Sequence, residues 1–154
     1  MESTLQKPAL LVGDAIASTR TNVENLRISR SRGIAIGFWI ATALFSLQMA
    51  FTAYAQLRLP QVAEMFTHLG FPDYFRVELS WAKLIGVVLL LAPVSARLKE
   101  WAYAGFAITL VSALIGHFAL GDRLEVWIWA ALTGLLWAAS YYFWRRLQTT
   151  PASA

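Results

Sequence analysis

Cysteine is absent from all 154 positions, which excludes disulfides, thiol redox chemistry and iron–sulfur clusters for this chain by itself and leaves the redox compartment unread. Charge is scarce as well. Only 14% of the residues are Asp, Glu, Lys or Arg, where a soluble domain carries about 25%. Histidine occurs twice, at His68 and His117, so a helix-borne pair of His ligands is missing and neither a metal centre nor a haem site is expected. No nucleotide-binding loop, nucleophile motif or paired carboxylates occur. No catalytic residue is assigned, and a stand-alone enzyme is not expected.

What is present is apolar. Hydrophobic residues make up 58% of the chain, above the roughly 45–50% of a soluble domain, and too little polar surface remains to face water on all sides. Seven Trp and five Tyr add to this, because both side chains settle at membrane–water interfaces. The net charge of +4 does not point to nucleic acid, since the basic residues sit at the ends of segments and form no single face. The length suits one domain.

The spans follow from charge-free runs. Residues 1–32 form a polar, basic tail with Lys7, Arg20, Arg27, Arg30 and Arg32, in which the apolar stretch Ala9 to Ala17 is broken by Gly13 and Asp14. It is too short and interrupted to span, and is expected to fray or to lie on the membrane surface. Gly33 to Leu57 then carries no charge, enough at about 1.5 Å per residue to cross a hydrocarbon core of roughly 30 Å. A signal peptide cleaved near Ala53-Tyr54-Ala55 is the competing reading. The long tail before it and the three apolar segments after it favour a retained span.

Pro60 opens and Gly70 closes a short helix whose Val62, Ala63, Phe66 and Leu69 form an apolar stripe, suited to lying in the interface. A second span starts at Pro72, contains Lys83 and ends near Pro93. Trp101 to Leu120 and Val126 to Trp144 are the third and fourth. The fold class is therefore an all-α integral membrane four-helix bundle with a short interfacial helix between spans one and two. Residues 33–146 make the membrane domain, and 147–154 a short C-terminal tail.

Lys and Arg residues count five, two and two in the N-terminal tail, the Ser95–Glu100 loop and the C-terminal tail, against three in the other two loops. Positive charge stays inside, so both termini are predicted to be cytoplasmic. Small residues at four-residue steps, Gly33, Gly37 and Ala41, then Gly105, Thr109 and Ala113, then Ala130, Gly134 and Ala138, are expected to face the bundle interior. Trp101, Trp127 and Trp144 at segment ends are read as interfacial anchors.

His117 continues the stripe of Gly105, Thr109 and Ala113 and is expected to point inward. Lys83 is expected at similar depth on an antiparallel helix, with Gln48, Thr52, Tyr54 and Gln56 in the same outer half. An ionisable residue within a span costs roughly 2.5 kcal/mol or more and is a functional hypothesis by default. The plainer readings are a Lys83 that snorkels to the interface and a His117 that packs. Glu64, Asp122 and Glu125 are the candidate counter-charges for Lys83.

The run His68-Leu69-Gly70-Phe71-Pro72-Asp73-Tyr74-Phe75-Arg76, the following Ala82-Lys83-Leu84-Ile85-Gly86 and leucine-rich stretch to Pro93, then Arg97-Leu98-Lys99-Glu100-Trp101-Ala102-Tyr103-Ala104-Gly105-Phe106 and His117 with Gly121-Asp122, resemble the DoxX-like family over about Ile34 to Trp144. The resemblance implies a small four-helix bundle in a bacterial cytoplasmic membrane, surrounded by lipid. It also implies a link to quinol oxidation, thiosulfate:quinone oxidoreduction or oxidative-stress complexes.

Three roles follow. The first is an accessory subunit that docks a redox partner protein or binds a quinone, with Lys83 and His117 on its carbonyls, Gln48 and Thr52 nearby, and Tyr54, Trp81 or Phe118 on its ring. The second is a small-solute carrier or channel, for which four helices leave little room unless the chain forms a homo-oligomer. The third is a non-catalytic scaffold with structural polar groups.

Overall fold

The computed structural model describes the backbone of residues 3–121 and 123–149, and the side chains of residues 16–121, 123 and 128–149. Five helices are present among them: α1 (Ser3–Arg58), α2 (Pro60–His68), α3 (Asp73–Leu91), α4 (Ala96–Leu120) and α5 (Leu124–Thr149). Their ends carry the local signals that the sequence predicts. Pro60 occupies the first turn of α2, where its missing N–H costs nothing. Pro72 precedes α3, and α3 stops at Leu91, before Pro93. Gly70 and Gly121 adopt φ of 78° and 65° in the turns after α2 and α4, a left-handed region that side chains with a Cβ disfavour. Ser95 caps α4 by accepting from the Leu98 N–H at 3.5 Å.

One helix is longer than its composition suggests. α1 runs without a break from Ser3 through the basic segment into the apolar run, and Gly13 and Asp14 do not interrupt its backbone. At about 1.5 Å per residue it is roughly 84 Å long, far more than a membrane requires.

α1 packs against α3 and α5, and α4 packs against the same two helices from the other side, while α2 touches only α1 and α3. The long helices alternate in direction. Gly37, Thr42 and Gln48 of α1 meet Phe143, Ser140 and Thr133 of α5, and Gly86 of α3 meets Phe106 of α4. Where they converge, Phe45, Leu90, Tyr103 and Phe106 are almost fully buried. The Phe45 and Phe106 rings meet edge to face at 5.0 Å, a favoured arrangement of aromatic quadrupoles.

The small-residue stripe of α4 is not its packing face. Gly105 and Ala113 are exposed, and Ala102, Tyr103 and Phe106 are buried instead. The same holds for Ala138 of α5, which is exposed while Thr133, Ser140 and Trp144 are buried. The helices are spaced by aromatic rings, so glycine is needed where a ring lies over a neighbouring backbone, at Gly37 beneath Phe143 and at Gly86 beneath Phe106. Trp144 is therefore a core residue, 5.5 Å from the Tyr103 ring, and not an anchor. Trp101 is exposed, and the Trp127 side chain lies outside the described residues.

Buried hydroxyls tie three helices together. Thr42 Oγ1 of α1 and Tyr103 Oη of α4 each lie 2.7 Å from Ser140 Oγ of α5. Two cations close helix ends, where carbonyls lack partners and the dipole favours positive charge. Lys99 Nζ donates to the Leu90 carbonyl of α3 at 2.9 Å, and an Arg76 N–H donates to the Gln56 carbonyl in the last turn of α1.

Among the described residues, two helical stretches, Ile16–Arg58 and Ala96–Leu120, are apolar and long enough to cross a membrane. α3, 19 residues long, is too charged to pass by composition alone, since it holds Asp73, Arg76, Glu78 and Lys83.

Candidate functional site

The inward face of α3 is set by helical spacing. Arg76, Ser80, Lys83, Gly86 and Leu90 recur every three or four residues, and Ser80, Lys83, Gly86 and Leu90 are buried. Lys83 is 8% exposed. Its ammonium makes no ion pair or hydrogen bond with any described residue. Glu64 and Glu78 are both exposed, and Asp122 and the Glu125 side chain, the other candidate counter-charges, lie outside the described residues.

Beside Lys83, a cleft of about 320 Å³ separates α3 from α4, with Gly86, Trp101, Gly105, Phe106 and Thr109 on its walls. The glycines account for its existence. Gly105 has no neighbouring atom within 4 Å of where a Cβ would stand, so α4 offers a flat strip rather than a side chain. Ile85 and Trp101 at its rim are exposed, and the cleft opens sideways between the helices. It therefore pairs an apolar, aromatic lining with one buried cation.

A polar node lies one turn from Lys83. Ser80 Oγ lies 2.8 Å from the Arg76 carbonyl oxygen and 3.1 Å from Gln56 Oε1, which share its one proton. Arg76 is partly neutralised by Asp73 at 3.6 Å, and its buried Nε has no partner.

The residues singled out from the sequence do not all converge. Gln48 turns to α5 and donates to Thr133 Oγ1. Thr52 donates to the Met49 carbonyl of its own helix at 2.9 Å. Tyr54, Trp81 and Phe118 are all more than half exposed, none of them on the cleft wall. His117 is half-buried, next to Gly116, which meets Leu69 in the turn after α2. The pairing of Gly86 with Phe106 sets Lys83 opposite Thr109, so His117 stands eight residues, or about 12 Å, further along α4. Lys83 and His117 are thus not level. The difference has a simple origin: Lys83 is ten residues from the start of α3 at Asp73, and His117 only three from the end of α4 at Leu120. Gln56, expected from the sequence in the same half as Lys83, does meet α3 through Ser80, and Arg76 and Ser80 were open to discovery from the spacing of α3, which places them on the face of Lys83. Nothing in the sequence singles out Thr42, Tyr103 and Ser140 as one cluster.

The sequence profile of the DoxX-like family matches residues 40–140. The chain belongs to the DoxX-like family. No curated protein and no solved structure matches it. The matched region holds Lys83, the whole α3–α4 cleft and the buried hydroxyl cluster, while α1 before Ile40 lies outside it. Membership of the DoxX-like family and the two apolar helices mark the chain as a membrane protein.

Proposed function

We propose that this DoxX-like protein is a four-span bundle of a bacterial cytoplasmic membrane, with both termini cytoplasmic and α2 in the outer interface. In this reading it is an accessory component of a membrane redox system and binds a lipid-soluble quinone in the α3–α4 cleft. The observation that carries the reading is Lys83, a buried ammonium with no counter-charge among the described residues, on the wall of an apolar cleft. A charge in that position is costly unless something offers it an acceptor. A quinone carbonyl offers one, while its ring suits Trp101 and Phe106 and its isoprenoid tail suits the lipid beyond the rim. Thr109 stands opposite Lys83 in place of His117, but its hydroxyl donates to the Gly105 carbonyl at 3.0 Å, which leaves Lys83 as the donor. A solute pathway has less support, because Phe45, Leu90, Tyr103 and Phe106 fill the space where the helices meet.

The test is to extract the protein from its native membrane in polymer-bounded lipid discs and measure quinone against bulk lipid. Enrichment that disappears in Lys83→Met, together with saturable binding of decyl-ubiquinone by the unaltered protein alone, is the expected result. Quinone at the bulk-lipid ratio in both proteins overturns the reading.

A further inference from the structure

The described side chains of α1 that precede the apolar run, from Ile16 to Arg30, are not covered by another helix. Residues 16–30 are exposed at every position, yet Ile16, Val23, Leu26 and Ile28 are large apolar side chains. An isolated helix of this kind gains little from propensity alone and is held mainly by packing of an apolar face. Three of the four, with Thr19, have a particular spacing. Ile16, Thr19, Val23 and Leu26 alternate steps of three and four, the seam of a heptad repeat. In the sequence the same steps run back through Val12, Ala9 and Leu5, which extends the repeat to three heptads, the length at which it becomes a signal for a coiled coil.

The register continues forward without a phase shift. Counting three and four from Leu26 passes Arg30, Gly33 and Gly37 and reaches Ile40, Leu44, Leu47, Phe51 and Tyr54. These five residues are among those that α3 and α5 leave uncovered, each at least half exposed, while Gly37 before them lies beneath Phe143 of α5. Had the seam met the buried face at Thr42, Phe45 and Met49, a partner helix would have been blocked where α1 enters the bundle. From Ile40 onward it meets the open face instead.

We infer that α1 is the interface to a second copy of this chain, which pairs in parallel along one seam from Ile16 to Tyr54. The occupant is a second copy because a heptad seam is completed by a helix with the same repeat in the same register. The parallel direction follows because two copies anchored in one membrane share an orientation; this step rests on the membrane placement proposed above. The area is adequate: eight exposed apolar seam residues offer on the order of 800 Å² per copy, the size of a standard stable interface. Arg30 is the one charged seam residue from Ile16 to Tyr54, and a single polar residue at such a position selects register and strand number. A straight helix drifts about 20° per heptad from this seam, so the pair winds into a left-handed supercoil.

The chain has no native cysteine, which makes single-cysteine cross-linking in native membranes a direct test. Val23→Cys, Leu26→Cys and Leu47→Cys on the seam are compared with Thr21→Cys on the far side of α1 after mild oxidation. The expected result is a disulfide-linked dimer at the three seam positions, at least tenfold more efficient than at position 21. Adding Leu26→Asp to Leu47→Cys should lower its cross-linking several-fold, since one seam holds both segments. Equal cross-linking at all four positions indicates random collision and overturns the inference, as does cross-linking at 23 and 26 without 47. Failure to cross-link at positions 23 and 26, with their cysteines shielded from a water-soluble maleimide, assigns the segment to the lipid surface and also overturns it.

Discussion

A Cβ placed on Gly86 would stand 2.7 Å from Cζ of Phe106, so the absence of a side chain on α3 is what lets the α4 ring into the core. The ring has little freedom to retreat. Phe106 is 3% exposed and its far side meets Phe45. Gly86→Ala should therefore destabilise the protein by about 1–3 kcal/mol, as overpacking does, read as a lower melting temperature in lipid discs. Phe106→Leu in the same chain should recover part of that loss, and additive losses in the double variant would show that the two residues do not compete for this space.

The hydroxyl cluster gives an ordering rather than a single value. Ser140 meets both Thr42 and Tyr103, so Ser140→Ala leaves two buried hydroxyls short of a partner, whereas Tyr103→Phe leaves the Thr42–Ser140 contact in place. Ser140→Ala should cost about 1–2 kcal/mol and Tyr103→Phe less. Equal melting temperatures for the two variants would count against a shared node.

Lys83 gives a prediction of opposite sign. Its ammonium is buried with no counter-charge among the described residues, and removing a costly charge from a membrane interior stabilises. Lys83→Met, similar in length and apolar, should raise stability by on the order of 1 kcal/mol even as it removes quinone retention. A marked fall in melting temperature would reveal a structural partner for the ammonium.

The positive-inside distribution is tested by reporter fusions. A fusion after Gln148 should behave as cytoplasmic and one near Asp122 as external, because nine of the twelve Lys and Arg outside the spans lie in the tails and the Ser95–Glu100 loop. An external C-terminus would remove both the four-span count and the orientation.

The helix ends were legible in the sequence because their signals are local. Pro60, Gly70, Pro72 and Pro93 act through their own backbone chemistry, and each stands at the end of a helix or in the turn beside it. The inward direction of Lys83 was legible too, since lipid disfavours a charge. The packing face of α4 was not. That helix is apolar on every side, so no polar face marks which residues turn inward, and small size is a poor guide where aromatic rings set the spacing. Depth was also hidden, because the level of Lys83 against His117 depends on where α3 begins and α4 ends. The reach of α1 was obscured by composition: charged and polar residues at 20, 24, 27, 30 and 32 read as a tail, although none of them breaks a helix.

Gly105 separates the two accounts of α4 most sharply. If small residues at four-residue steps formed its packing face, Gly105→Leu would force helices apart and lower stability. In the structure the position is exposed and empty around the missing Cβ, and it lines the cleft rather than an interface. A leucine there meets no backbone, and replacing a mid-helix glycine gains up to about 1 kcal/mol of helix propensity. The side chain must go somewhere, and the open volume beside it is the cleft that holds Lys83. Gly105→Leu should thus keep or slightly raise the melting temperature while reducing quinone retention at least tenfold, the signature of a blocked site in an intact fold. A lower melting temperature with retention unchanged would return Gly105 to the packing face and take the α3–α4 cleft out of consideration as the binding site.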